Sequence, residues 1–233
     1  MMNPYKSSDY LSEFLRYIAQ KSLQGEERIP PLTELSKELK VSVASLREQL
    51  EVAKVMGFVE VRPKTGIRWL PYQFSPSILL SVAYSVTICT DFFDQFRDFR
   101  NHLEAAYFYE SVTKLLPDDL DNLLSIVETA ESKIQKYPPL LPHHEHYLLH
   151  QLLFSKVDNL FVQGVFDVYW DIYEARGFSI ISDLDYLVRV WDYHRRFVVA
   201  IRMGNYSEAY LIFMEHKELF LRSPKLSVPQ NFE

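Results

Sequence analysis

From Ile78 onward the chain repeats one pattern, and the pattern is helical. Ile78 to about Thr90 is apolar. A longer helix follows with Phe92, Phe96, Phe99, Leu103, Ala106 and Tyr107 at helical spacing. Pro117-Asp118-Asp119 opens another, carrying Leu120, Leu123, Leu124, Val127 and Ile134. After Pro138, Pro139 and Pro142 a helix is expected from His143 to about Asp158–Asn159. The next runs Leu160–Arg176 and ends at Gly177. Ser182-Asp183 caps a long one to Met203-Gly204, and Ser207 caps the last, which stops before Pro224. Strand signals are absent over this stretch. Six or seven helices in residues 78–222 predict an all-α bundle, with 223–233 as a loose tail. The 16 Phe and 15 Tyr are expected to fill its core, Trp170 and Trp191 included as packing.

The first 70 residues read differently. Ser8-Asp9 precedes the periodic run Tyr10, Leu11, Phe14, Leu15, Ile18 and is expected to cap a helix. Pro30-Pro31 opens a short helix with Leu32, Leu35 and Leu39 on one face. Ser42 caps another through Leu46, Leu50 and Ala53, closed by Gly57. Phe58–Val61, Pro63–Gly66 and Ile67–Leu70 then read as a β-hairpin. Helix, helix, tight break, helix, hairpin is the order of a winged helix-turn-helix. Such a fold lays its last helix in the DNA major groove, with the first residues of that helix at base edges. The hairpin tip, with Lys64 and Thr65, reaches the backbone or minor groove. The fold class is therefore mainly α: an α+β head over 1–70, a proline-bearing linker over 71–77, and a helical domain over 78–222.

Charge permits this division. The net charge is −6, but residues 1–70 carry 11 Lys/Arg against 9 Asp/Glu, while the remainder carries 14 against 22. The single Cys89 excludes an intrachain disulfide framework and suggests a reducing compartment. With no charged-then-apolar leader and no long apolar run, neither export nor a membrane span is expected; Asn205-Tyr206-Ser207 then reads as a turn rather than a glycosylation site.

The head resembles the winged helix of GntR-type bacterial transcription regulators. The residues that carry the likeness are Leu32-Thr33-Glu34-Leu35-Ser36, Leu39-Lys40-Val41-Ser42, Leu46-Arg47-Glu48-Gln49-Leu50, Gly57-Phe58-Val59-Glu60 and Gly66. The resemblance implies DNA contacts at Thr33, Ser42, Val43, Ser45, Arg47, Lys64, Thr65 and Gly66. Thr33 and Val43 stand where the family has arginines, so the operator is expected to be atypical or its binding weak.

Four of the seven histidines lie in His143–His150. His146 and His150 are one turn apart on one helix face. His194 lies before Gly204 and His216 after Ser207 by nearly equal intervals. If Gly204–Ser207 turns a helical hairpin, the two are level. A lone helical histidine is more often surface or hydrogen-bonded core, the reading given to His102, His143 and His144. The level match makes His146, His150, His194 and His216 a candidate metal tetrad, suited to zinc, nickel, copper or iron.

Residues Arg100-Asn101-His102-Leu103-Glu104, His150 with Asn159, and His194…Arg202…Gly204-Asn205…His216 are similar to the FCD effector domain of the FadR subfamily of GntR regulators. That resemblance implies a divalent metal, zinc or nickel foremost, on the four histidines, and a small carboxylate effector beside it. It points to Arg100, with Arg97 and Asn159, as effector residues. It also implies a bacterial cytoplasmic homodimer on a pseudo-palindromic DNA operator. His146 stands where metal-binding members have an aspartate, leaving an all-imidazole site. Two alternatives remain open: a degenerate regulator acting through a protein partner, and a metal-dependent enzyme acting on a small acid.

Overall fold

The computed structural model describes residues 7–22, 28–64, 66–176 and 183–222. The chain divides into two compact units, Met1–Leu80 and Ser81–Glu233.

In the first unit a 3-10 turn, Ser7–Tyr10, precedes helix α1, Glu13–Ser22. The helix starts later than the expected cap at Ser8-Asp9. Ser12 supplies the cap instead, its Oγ accepting the Leu15 N–H at 3.3 Å. Helix α2, Leu32–Leu39, ends on Lys40 in the left-handed region at φ 56°, which makes the tight break. Ser42 caps α3, Val43–Val55, accepting from the Ser45 N–H at 3.2 Å. Strands β1, Val59–Arg62, and β2, Gly66–Trp69, pair antiparallel, with Val59 opposite Trp69 and Arg62 opposite Gly66. A bridge from Ile29 to Ile67 widens the sheet, and the Trp69 indole donates to the Ile18 carbonyl at 3.0 Å, tying hairpin to α1. Phe14, Leu35, Leu46, Ala53 and Val59 form the buried core.

Gly57, at φ 73°, closes α3. The Phe58 N–H donates to the Ala53 carbonyl at 2.9 Å and the Gly57 N–H to Lys54, the bonding of a Schellman cap. A Cβ on Gly57 would meet Pro76 Cγ at 2.8 Å. Phe58 and Tyr72 also stack at 6.2 Å. These contacts fasten the expected linker onto the wing, so the unit extends to Leu80 rather than stopping at residue 70. Gly57→Ala is expected to cost about 1–3 kcal/mol through the left-handed backbone alone, with the rigid Pro76 ring adding to it. Chemical denaturation of the full chain checks this; a neutral substitution would mean that Pro76 and the cap relax freely.

Helix α4 runs Ser75–Ile88, with Pro76 in its first turn, where a missing N–H is harmless. Thereafter come α5, Asp91–Val112; α6, Pro117–Ile134; α7, His143–Leu153; α8, Leu160–Ala175; α9, Leu184–Arg202; and α10, Tyr206–Arg222. Seven helices thus follow the hairpin among the described residues. Phe108, Leu123, Val127, Leu149, Leu153, Phe197, Val198 and Phe213 are the centre of the second unit's core. Gly204, at φ 74°, caps α9, with Asn205 N–H donating to the Ala200 carbonyl at 2.9 Å. This second Schellman turn folds α9 and α10 into a hairpin.

Helix α7 is shorter than its expected end near Asn159. Phe154 and Val157 turn into the core, and the Gln163 side-chain amide donates to both of their carbonyls at 2.8 and 3.2 Å. Asn159 caps α8 instead, its Oδ1 accepting from Phe161 and Val162 N–H.

Candidate metal centre

Three helices bring the histidines together. The α7 residues His146 and His150 have ring centroids 5.0 Å apart. From the α9–α10 hairpin, His194 and His216 sit level, 4.4 Å apart, as the equal intervals to the turn require. His146 lies 5.0 Å from His194 and 6.3 Å from His216. One ligand nitrogen each from His146, His150 and His194 fall within 4.8 Å of one another, a spacing that suits a shared ion. His216 touches all three rings but is not in that set of nitrogens. The expected tetrad is thus a triad with a fourth ring alongside.

The donor set fits a metal. Nε2 of His146, both nitrogens of His194 and Nδ1 of His216 are buried with no hydrogen-bond partner among the described residues. Buried polar atoms are nearly always paired, and each unpaired one costs about 1–3 kcal/mol. Unpaired imidazole nitrogens on three adjoining buried rings suit a partner that accepts a lone pair, such as a divalent metal. Burial, then the neighbouring rings, pushes His146 and His194 well below the ordinary histidine range. His216 is lowered to about 3, chiefly by burial. His150 is lowered by burial too, although Glu104 opposes this. The rings are therefore neutral near pH 7, the state a metal needs.

Trp191 packs edge-on to His194 at 4.7 Å, and Trp170 to His146 at 5.1 Å. Both tryptophans are walls of the site and not remote packing. Their positions carried the signal: Trp191 precedes His194 by three residues on one helix face. His143 and His146 line a small cavity of about 20 Å³ with Tyr173 and Trp191, room for one water molecule. His102 and His144 are exposed, as expected.

A buried ionic cluster adjoins the rings. The Arg100 guanidinium pairs with Glu104 Oε1 at 2.6 Å and stacks over Tyr169 at 4.3 Å. Glu104, 1 % exposed, also lies 3.1 Å from His150 Nδ1 and 3.4 Å from Lys217 Nζ. Burial would raise the Glu104 carboxyl, but Arg100, Lys217 and His150 outweigh it and hold it at about 2. Lys217 is lowered to about 8 by burial and donates to the Asn101 carbonyl at 2.6 Å. Glu104 and Lys217 escaped the sequence reading; Glu104 stands in the quoted motif, one turn after Arg100.

The effector residues expected from sequence divide. Arg100 is beside the rings, but an internal carboxylate already holds it. The recess between Arg100, His150, Phe166 and Trp170 has no room for a water. Arg97 is buried and pairs with Asp94 at 3.1 Å. The Asn159 amide is committed to its cap and to the Tyr107 hydroxyl at 3.1 Å, so the structure gives it no contact with the site. In the head, Thr33 and Arg47 are exposed and Val43 is half-buried. Ser45 Oγ accepts from Gln49, whose own oxygen accepts the Phe14 N–H, so Ser45 helps to fix α3 on α1. Lys64 is exposed on the wing at φ 68°, Gly66 follows at φ 81°, and Thr65 lies outside the described residues.

Comparison with known proteins gives these features a context. The FCD domain family matches residues 95–219, more than half of the chain. No curated protein matches the chain in sequence. Among solved structures, the Streptococcus agalactiae GntR is similar at TM-score 0.65 and 18% identity, over 89% of this chain and 97% of that one. E. coli McbR/YncC aligns at TM-score 0.46 and 14% identity, covering 91% and 96%. A GntR-family transcriptional regulator from Pseudomonas syringae pv. tomato str. DC3000 aligns at 0.38 and 16%, covering 88% and 81%. The first of these shares the fold. No helix among the described residues is long and apolar enough to cross a membrane. A helical domain matched over most of its length settles the family: the chain belongs to the FCD-domain family, and its fold is that of the Streptococcus agalactiae GntR.

Proposed function

We propose that the chain is a cytoplasmic bacterial regulator whose operator binding responds to a small carboxylate and depends on a divalent metal held by His146, His150, His194 and His216. The observation that carries this is the convergence of one nitrogen each from His146, His150 and His194 within 4.8 Å, next to buried nitrogens of His146, His194 and His216 that have no hydrogen-bond partner among the described residues. Zinc or nickel would supply a positive centre able to hold a carboxylate oxygen. The chain's residues do the rest. Four neutral rings bring no negative charge, so the centre keeps its full attraction for an anion. Arg100 is the cation placed to receive that anion, once it releases Glu104. Two chains are needed to offer two winged helices to a pseudo-palindromic DNA site.

Elemental analysis of the protein purified without chelator, followed by gel shift on the DNA upstream of its own gene, tests this. One zinc or nickel per chain and specific binding altered by metal removal are expected. Metal-free protein that binds the same DNA equally well would overturn the metal dependence.

One observation favours a second reading, a regulator that acts through a protein partner: Thr33 and Val43 offer no charge where the family has arginine. Arg47→Ala separates the two. A good bidentate base contact is worth about 1–3 kcal/mol, so DNA affinity should fall roughly 10-fold or more in the gel shift. Unchanged affinity would favour the partner.

A further inference from the structure

The centre has a carboxylate after all, one layer out. Arg100 Nη2, Glu104 Oε1 and His150 Nδ1 form a triangle with sides of 2.6, 3.1 and 3.1 Å. His150 is 3 % exposed and Glu104 1 %. Nδ1 has two suitors of opposite kind. An ionised Glu104 can only accept, so it requires a proton on Nδ1. Arg100 can only donate, so it requires a lone pair there. Both cannot be satisfied. A neutral ring has one proton, and wherever that proton sits the other nitrogen carries the lone pair. Glu104 therefore favours a lone pair on Nε2, free for a metal. Arg100 favours a proton on Nε2, which blocks one.

The hydrogen bond to an anion is the stronger of the two. Glu104 can also take both donors on one oxygen, whereas Nδ1 as acceptor would deprive that oxygen of the His150 donor. Lys217 holds the carboxylate from its other side at 3.4 Å, so Glu104 cannot swing away without stranding a buried cation.

We propose that Glu104 is the positioning residue of the metal centre: it holds His150 in the Nδ1–H form, against the competing Arg100, and so presets Nε2 as a ligand. This rests on the metal reading above. The carboxylate missing at position 146 is in effect supplied behind His150 rather than at the ion. Partners of this kind orient the ring and raise its basicity, and their loss typically weakens metal binding about 10–100-fold.

The test is zinc affinity, by competition with a chromogenic chelator, together with long-range proton–nitrogen NMR of histidine-labelled full-length protein. Wild type should show one ring in the Nδ1–H form before zinc is added, assigned to His150 by its loss in His150→Gln. In Glu104→Gln the charged acceptor becomes a neutral, weaker one, so the demand of Arg100 for the Nδ1 lone pair should win and that ring should move to the Nε2–H form. Zinc affinity should fall about 10–100-fold. Lys217→Gln disturbs the same buried cluster but leaves the Glu104–His150 contact, and should keep wild-type affinity. Equal losses in the two variants would reduce Glu104 to a packing role and overturn the proposal. If Glu104→Gln does not fold, wild type alone decides: an Nε2–H signal for His150 overturns the proposal. Wild type that takes up no zinc overturns the metal reading itself, whereas wild type that binds while Glu104→Gln binds equally overturns only the role of Glu104.

Discussion

His194→Leu should make the metal-free protein more stable and the metal site useless. His194 is fully buried among Trp191, Phe197 and His216, and neither of its nitrogens has a partner among the described residues. Each such atom costs the fold about 1–3 kcal/mol. Leucine removes both and keeps most of the volume, at a repacking cost of about 1.5 kcal/mol or less. A net gain of roughly 1 kcal/mol or more is expected from these terms, read as a higher Tm in chelator. Zinc should then fail to raise Tm further. Four-ligand zinc sites bind with about 10–16 kcal/mol, so one ligand is worth several kcal/mol, more than 100-fold in affinity. An ordinary hydrogen-bonded core histidine would behave in the opposite way, losing stability on substitution. Titration calorimetry that still finds tight one-to-one zinc binding in the variant would remove His194 from the site.

Acid should unfold the helical domain early. The unfolded chain binds histidine protons near pH 6.5, whereas the buried rings resist protonation in the fold, His216 down to about 3. The unfolded state thus binds more protons throughout that window, and stability falls as pH falls through it. Each ring that stays neutral contributes about 1.4 kcal/mol per pH unit. His194 and His146, held well below the ordinary range by burial and then by the neighbouring rings, add to the fall in the same direction. Glu104 adds to this at lower pH. Its folded value of about 2 lies below the ordinary 4.5, so its contribution is present above 4.5 and lost as pH drops towards 2. Urea midpoints of metal-free protein between pH 7 and pH 5 should show the first part of the fall, and His194→Leu should flatten it. A stability profile level from pH 7 to pH 5 would contradict the buried neutral rings.

Much of this was legible in the chain. Gly57 and Gly204 announced two helix ends because only glycine adopts their backbone cheaply, and the equal intervals from Gly204 placed His194 against His216. Spacing along one helix reports a face, so His146 and His150 were legible as a pair. It does not report what another helix brings to that face. Glu104 reaches His150 across 46 residues and Lys217 reaches Glu104 across 113, and no local period encodes such meetings. The end of α7 was missed for a related reason. No glycine or proline stops it; a glutamine from the next helix takes up the carbonyls of Phe154 and Val157 just past its end.

The small cavity between His146 and Trp191 sets a condition on what the protein can hold. Magnesium and calcium keep several waters when bound to proteins, or demand six or more oxygen ligands. Beside these rings there is space for about one water, and among the described residues the carboxylate nearest them, Glu104, is already paired. An ion enters only by shedding nearly its whole hydration shell in exchange for imidazole nitrogen. Soft or borderline ions accept that exchange, and hard ions do not. If the histidines hold an ion, the dry walls of this pocket would favour one that exchanges water for imidazole nitrogen over magnesium or calcium.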